Sequence, residues 1–281
     1  MQFKPKKSLG QNFLKDENIL KLIVEKADIN KNDSVIEIGP GTGNLTKKIL
    51  FKMPHSITVI EKDQNLSNKL KADFKDKINL INKDFLLMKE KDIKLNDNII
   101  LGNLPYNVST EILIKLIKTY KNSKYKKLLF MFQKEVADRI IANYNTKNYG
   151  RLSIISQFAM NVYKIKDVSP NCFYPKPKVS STLLLFIPKK KIYKINEIKN
   201  LEYITRTFFN LRRKMIKKPL KQIFKNFSNV EKKLKLKIND RPQNLNPLTY
   251  YKICEEYEKL ANKWFNMFTN FWFIKEFFLF F

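Results

Sequence analysis

Two rhythms of apolar positions alternate through the first two-thirds of the chain. Short runs rich in Val, Ile and Leu, over Ser34 to Ile38, Ser56 to Ile60, Ile78 to Asn82, Asn98 to Leu101 and Lys127 to Phe132, read as buried strands. Between them the apolar residues take helical spacing. Leu45, Ile49 and Leu50 share one face after Asn44, and Ile112, Leu113, Leu116 and Ile117 share another behind a Ser109 cap. A further helical stretch lies near Gln133 to Ala142. This alternation predicts a parallel sheet with crossover helices. Tyr163 to Val168 and Val179 to Ile187 are expected to close it as a hairpin around a proline-rich turn. The expected fold is therefore α/β, a doubly wound, Rossmann-like sheet of seven strands.

From Pro188-Lys189-Lys190-Lys191 onward the pattern is helical to about Leu260, which predicts a small all-helical second domain. The expected divisions are residues 1–187, 188–260 and an aromatic-rich extension over 261–281. A membrane helix needs about 20 mainly apolar residues. Here Asn266, Asn270, Lys275 and Glu276 interrupt the apolar positions, and the longest unbroken run is Phe277 to Phe281. A docked aromatic helix or a chance extension is expected rather than an anchor.

Charge changes the picture next. The formal net charge is +29, from 55 basic and 26 acidic residues in a chain of 281. Such a balance asks for a polyanionic partner. Only six of the basic residues are arginine, however, and 30 asparagines accompany the lysines, as A/T-rich coding would produce. Where the charge lies is thus more telling than its sum. Residues 205–225 hold eight basic residues and no acid, and three of the eight, Arg206, Arg212 and Arg213, are arginine. A solvated helix face usually mixes signs, so a one-sign run beside Phe208, Phe209, Met215 and Ile216 reads as a phosphate-contacting surface. Cys172 and Cys254 stand far apart and His55 is the single histidine, in a Pro-His-Ser turn, so no zinc site or Ser-His-Asp triad can be assembled. Two cysteines and no signal peptide fit a reducing cytosol.

Ligands of open parallel sheets bind at the carboxyl ends of the strands. Ser34 to Ile38 ends in Gly39, Gly41 and Gly43, a G-x-G-x-G turn rather than the G-x-G-x-x-G of dinucleotide enzymes, with Glu37 just before it. The next strand ends in Glu61, at the distance where an acid clasps ribose hydroxyls. That spacing favours S-adenosylmethionine over NAD. The third strand ends near Asp84, which can accept the exocyclic amine of an adenine, and Phe85, which can pack on its ring. The fourth leads into Asn103-Leu104-Pro105-Tyr106. Proline fixes that turn so that the Asn103 side chain and the carbonyl before the proline, that of Leu104, can face one pocket. Two acceptors at the N–H bonds of an aminopurine favour a pyramidal nitrogen whose lone pair can attack a sulfonium methyl. Tyr106 offers a flat face for the base, worth about 1–3 kcal/mol of stacking. Phe173, in the stiff turn Phe173-Tyr174-Pro175-Lys176-Pro177-Lys178, is expected to stand opposite Tyr106 and sandwich a flipped base, with Lys176 and Lys178 on its phosphates. Cys172 has no activating partner and reads as a packing residue.

These segments together resemble the ribosomal RNA adenine dimethyltransferase family, from the amino terminus to about Leu260. Lys7-Ser8-Leu9-Gly10-Gln11-Asn12-Phe13-Leu14 resembles its opening motif, and the resemblance implies that Gln11, Asn12 and Leu14 touch S-adenosylmethionine. Glu37 to Gly43 resembles the cofactor loop, Glu61 the ribose acid, Asp84 the adenine acceptor, Asn103 to Tyr106 the catalytic motif and Phe173 to Val179 the base-stacking loop. Gln133 to Arg139 and Tyr149 to Ser153 also resemble family segments. Phe209-Asn210-Leu211-Arg212-Arg213-Lys214 and Arg241-Pro242-Gln243-Asn244-Leu245 resemble F-x-Q-R-R-K and R-P-E-N-L of the housekeeping members, and Leu104 is their choice where resistance enzymes usually have Ile. Leu211 departs from the usual Gln, and Pro219 is expected to interrupt the helix that follows.

The resemblance implies a methyltransferase sheet that dimethylates N6 of two adjacent adenosines near the 3′ end of small-subunit rRNA, with S-adenosylmethionine and no metal. It further implies a monomer acting on a small-subunit assembly intermediate, with Arg212, Arg213 and Lys214 on RNA. A start almost on the first motif leaves no room for a transit peptide, and bacterial cytoplasm is expected. The rival enzyme is a large-subunit resistance methylase; the rival of another class is a binding factor whose catalysis is dispensable.

Overall fold

The computed structural model describes residues 5–6, 9–89, 92–93, 95, 97–120 and 123–261. Lys7 and Ser8 of the opening motif and residues 262–281 lie outside these. The described residues divide into two compact units, one within 1–141 and 159–190, the other within 142–158 and 191–261.

The first unit opens with β1 (Phe13–Leu14) and α1 (Glu17–Ala27). The Asp16 carboxylate accepts from the Ile19 amide to cap α1, which buries Ile19, Leu20, Ile23, Val24 and Ala27 on one stripe. Then follow β2 (Ser34–Ile38), α2 (Asn44–Leu50), β3 (Ser56–Ile60), α3 (Gln64–Phe74), β4 (Asn79–Ile81), β5 (Asn98–Gly102), α4 (Ser109–Thr119), β6 (Lys127–Gln133) and α5 (Lys134–Ile140). After α6 (Arg151–Ala159) come β7 (Met160–Val168), β8 (Phe173–Tyr174) and β9 (Ser181–Pro188). Seven strands make one sheet in the order β4-β3-β2-β5-β6-β9-β7. The first five run parallel and are sheathed on both faces, which is why β2, β3, β5 and β6 read as nearly continuous apolar runs. The expected hairpin exists, but β9 inserts antiparallel between β6 and β7 and leaves β7 as the edge. That edge carries Lys164, Lys166 and Asp167 and an irregularity between Lys164 and Lys166, features that disfavour edge-to-edge strand pairing.

A second, two-stranded ribbon pairs β1 with β8, Phe13 opposite Tyr174 and Leu14 opposite Phe173. It joins the first strand of the chain to the proline-rich turn that follows β7. The Cys172 carbonyl accepts from the Lys15 amide at 2.9 Å and extends the same junction.

The second unit contains α7 (Ile198–Asn210), α8 (Lys217–Ile223), α9 (Phe227–Leu234) and a helix from residue 247 to 261, the last described. Buried Glu258 accepts from the Asn196 and Glu197 amides and from the Asn200 side chain, fixing the chain's entry into α7. Residues 142–158 were expected within the first domain, but they pack with these helices. The Tyr149 hydroxyl donates to the Leu245 carbonyl at 2.9 Å, the Tyr251 hydroxyl to Ile154, and the Asn145 amide to Gln243. Pro219 does not break α8. It sits in the first turn, where a missing N–H costs no helical bond.

Candidate active site

A cleft of about 170 Å³ opens at the carboxyl ends of β2, β3, β4 and β5. Its floor is apolar, with Ile38, Leu45, Ile60, Leu66 and Phe85 among its lining residues. Gln11, Asn12, Leu14, Gly39, Gly41, Glu61, Asp84 and Asn103, all singled out from sequence, line the same space. The segment before α1 is stitched across the strand ends. The Gln11 amide donates to Asp63 at 3.2 Å, the Asn12 carbonyl accepts from Asn103 Nδ2 at 2.7 Å, and the Leu14 carbonyl accepts from Asn44 Nδ2 at 2.8 Å.

Gly41 has φ +58, and a Cβ there would lie 2.8 Å from the Phe13 ring. Only glycine lets the turn curl left-handed while an aromatic ring rests against it. The Gly41 amide also donates to Glu61 Oε2 at 3.1 Å, and the Asp63 amide donates to Oε1 at 2.8 Å. Glu61 is 6% exposed; burial pushes its carboxyl up, against those two amide bonds. Glu37, 1% exposed, accepts from the Thr46 hydroxyl at 2.6 Å. Burial, with the Glu61 charge beside it, pushes Glu37 up to about 8, so it stands protonated at neutral pH.

Asp84 follows β4. Its Oδ1 accepts from the Leu86 amide at 2.9 Å and its Oδ2 from Lys62 at 2.8 Å. Burial raises its carboxyl, but the Lys62 and Leu86 donors outweigh burial and hold it below the usual range. Phe85 beside it is buried.

The turn after β5 is the most constrained part of the site. A carbonyl can only accept, so the bond to Asn12 fixes the Asn103 amide with Nδ2 on the Asn12 carbonyl and Oδ1 left as an acceptor. Neither Asn103 Oδ1 nor the Leu104 carbonyl has a hydrogen-bond donor among the described residues. The Leu104 side chain is buried. The Tyr106 hydroxyl is bonded to Ser181 of β9 at 2.5 Å, and the ring is half-buried and held in place. Burial pushes its phenol up.

Two expected roles do not fit the geometry. Phe173 is 1% exposed and packs with Leu14 in the core, because partners across an antiparallel ribbon share a face. Its ring is not offered to a base; the exposed aromatic of the turn is Tyr174, at 51%. Lys176 and Lys178 are exposed. Arg212, expected on phosphate, instead donates to the carbonyls of Tyr149 at 2.8 Å and Lys147 at 2.7 Å, with its guanidinium 5.8 Å from the Phe209 ring centre. It closes the 146–149 loop onto α7. Arg213 and Lys214 are exposed.

Residues 2–262 match the model of the ribosomal RNA adenine dimethylase family. The chain belongs to that family. It is 51% identical over 261 residues to ribosomal RNA small subunit methyltransferase A of Pelagibacter ubique, covering 92% of this chain and 99% of the relative. A dimethyladenosine transferase from Plasmodium falciparum superposes with a TM-score of 0.76 at 26% identity, over 88% of this chain and 98% of that one. The 23S rRNA methyltransferase ErmE shares the fold, with a TM-score of 0.66 at 19% identity, over 88% and 99%.

Several residues that build this cleft carried no signal in the sequence. Asp63, Asn44 and Thr46 read as helix-start residues, yet they hold Gln11, the Leu14 carbonyl and Glu37. Their roles come from strand ends meeting in space. His55 is exposed, in the turn before β3. Burial and nearby acids push the Cys172 and Cys254 thiols up, the latter to about 12, so neither is a ready nucleophile. Among the described residues, no three His, Cys, Asp or Glu side chains gather as a metal site, and no helix is long and apolar enough to cross a membrane.

Proposed function

We propose that the chain dimethylates N6 of two adjacent adenosines near the 3′ end of small-subunit rRNA, with S-adenosylmethionine as donor. The observation that carries the reading is the fixed orientation of Asn103. Its Nδ2 is tied to the Asn12 carbonyl, so Oδ1 and the Leu104 carbonyl are two acceptors for the two N–H bonds of an adenine amine. Accepting from both draws the amine toward a pyramidal shape and frees its lone pair for in-line attack. Bound S-adenosylmethionine supplies a methyl group on a positively charged sulfur. The N–C bond would form as the C–S bond breaks and the neutral thioether S-adenosylhomocysteine leaves, and the nitrogen, then positive, would release its proton to water without a strong base. Tyr106, pinned by Ser181, gives the base a flat partner.

The donor reading rests on the cleft. Glu61 is held by the Gly41 and Asp63 amides with lone pairs left for ribose hydroxyls, Asp84 stands where an adenine amine would arrive, and Gln11, Asn12 and Leu14 border the same space. The choice of small-subunit RNA is supported by Leu104 and by the near full-length likeness to a methyltransferase named for that subunit. We further assign a monomer, working in the bacterial cytoplasm where ribosomes assemble, with exposed Lys176, Lys178, Arg213 and Lys214 toward RNA phosphates.

The test is to incubate the protein with labelled S-adenosylmethionine and small or large subunits lacking the modification, then map the label. Label is expected on two neighbouring small-subunit adenines, and Asn103→Ala should nearly abolish it while cofactor affinity falls much less. Label confined to large-subunit RNA, or equal turnover by Asn103→Ala, refutes the assignment.

A further inference from the structure

Lys115 lies on α4, beside the apolar stripe that the sequence marks but not among its residues. Its ammonium donates to the carbonyls of Phe85 at 2.7 Å, Leu86 at 2.8 Å and Met88 at 2.5 Å. Those bonds use all three donors of the group. The same nitrogen stands 5.1 Å from the centre of the Phe85 ring, within cation–π range. Lys115 is half-buried, and burial pushes its ammonium down while the Asp84 and Asp92 charges push it back up.

Besides the lysine, the turn is held by its own backbone, Leu87 N–H to the Asp84 carbonyl at 3.0 Å and Met88 N–H to the Phe85 carbonyl at 3.3 Å, and by the buried Phe85 and Met88 side chains. Residues 85–87 form a single 3-10 turn after the three-residue β4, closed by Asp84 Oδ1 on the Leu86 amide. Leu87 at its crest is 83% exposed and adds almost no packing. The carbonyls of Phe85, Leu86 and Met88 converge on one point, and converging carbonyl dipoles repel unless a cation sits among them. The lysine therefore neutralises that convergence and adds three bonds to the turn that follows Asp84, and both Asp84 and Phe85 line the cleft.

We propose that Lys115 is a positioning residue for the adenine end of the methyl donor, acting through the 85–88 turn. It holds Asp84 and Phe85 in their binding arrangement before the ligand arrives, so that the turn need not be ordered on binding. The proposal rests on the S-adenosylmethionine reading above. Lys115 borders neither the proposed acceptors of Asn103 and Leu104 nor Tyr106, so its effect falls on affinity and not on the chemical step.

The experiment compares the full-length protein with Lys115→Met and the milder Lys115→Gln. Calorimetry with S-adenosylhomocysteine, which carries the adenine but no transferable methyl, gives affinity; steady-state kinetics give KM and kcat. Lys115→Met should weaken S-adenosylhomocysteine by roughly ten- to a hundred-fold, the cost of ordering a few residues on binding. KM for S-adenosylmethionine should rise in step, with kcat at saturation within about two-fold. Combining it with Asp84→Ala should cost less than the two losses together, because both act through one turn. A folded Lys115→Met or Lys115→Gln with the parent's affinity overturns the proposal, as does a loss in kcat with KM unchanged. If both variants fail to fold, Lys115 supports the whole unit and the proposal is again overturned. A parent that binds no S-adenosylhomocysteine strikes the cofactor reading itself, and the proposal falls with it.

Discussion

Replacing Glu37 with Gln should make the first unit's stability less sensitive to pH between about 5 and 8. Glu37 is buried next to Glu61, and its carboxyl is pushed up to about 8 from an ordinary 4.5. In that interval the folded chain keeps a proton that the unfolded chain releases. Stability therefore falls as pH rises, since the unfolded state binds fewer protons. The contribution is fully present below pH 4.5 and is lost as pH climbs through about 8. One pH unit inside the window is worth about 1.4 kcal/mol, so from pH 5 to pH 8 Glu37 alone removes roughly 3–4 kcal/mol. A domain is typically stable by only about 5–15 kcal/mol, so this is a large fraction. Gln has the shape of the protonated acid and can still accept from the Thr46 hydroxyl at the same 2.6 Å site. Urea unfolding of parent and Glu37→Gln, followed by circular dichroism at each pH unit from 5 to 8, measures the difference. Glu61, also pushed up, is present in both proteins and largely cancels. The variant should gain on the parent with each unit of rising pH. Parallel curves, or a gap that widens toward low pH, would refute the assignment of a neutral Glu37.

The other expectations are simpler to state. Glu61→Ala should weaken S-adenosylmethionine binding measured by calorimetry, since ribose hydroxyls lose a charged acceptor worth about 1.5–3 kcal/mol, and unchanged affinity would move the ribose site elsewhere. Neutralising Arg213 and Lys214 together should weaken small-subunit binding and reduce the log–log salt slope by roughly 0.7–0.9 per lost phosphate contact, with cofactor affinity unaltered; the parent's slope would make the run a plain solvated face. Arg212→Ala should instead lower the thermal stability of the second unit, because it frees the 146–149 carbonyls from their donor.

Much of this was legible because the local code and the fold agree. Strands sheathed on both faces read as apolar runs, and β2 and β3 span the segments Ser34 to Ile38 and Ser56 to Ile60 that the pattern marks. The glycine turn, Glu61, Asp84 and Asn103 were visible because each punctuates the carboxyl end of such a run. What was hidden depends on partners far away in sequence. Two-residue strands have no period, so the ribbon that turns Phe173 inward and Tyr174 outward left no trace. Arg212 sits in a one-sign run and looks like its neighbours, but a guanidinium with five donors can serve carbonyls as readily as phosphate. Lys115 occupies the flank of an amphipathic helix, where a lysine normally means only a solvated edge. The 142–158 detour was invisible for the same reason, since Tyr149 and Ile154 look like core residues of either unit.

The pairing of Phe13–Leu14 with Phe173–Tyr174 sets a timetable for synthesis. Its two halves are separated by roughly 160 residues of chain. At about 5–20 residues per second on the ribosome, the first half waits roughly ten to thirty seconds for its mate. Until then Leu14 and its neighbours lack the strand that seats them, and the segment carrying Gln11 and Asn12 has no fixed course across the strand ends. A nascent chain stopped before residue 173 therefore holds the glycine turn and Asn103 but not a finished cleft. Methyl-donor binding becomes a report that the first unit has been completed, and fragments released early should neither capture the donor nor compete for it.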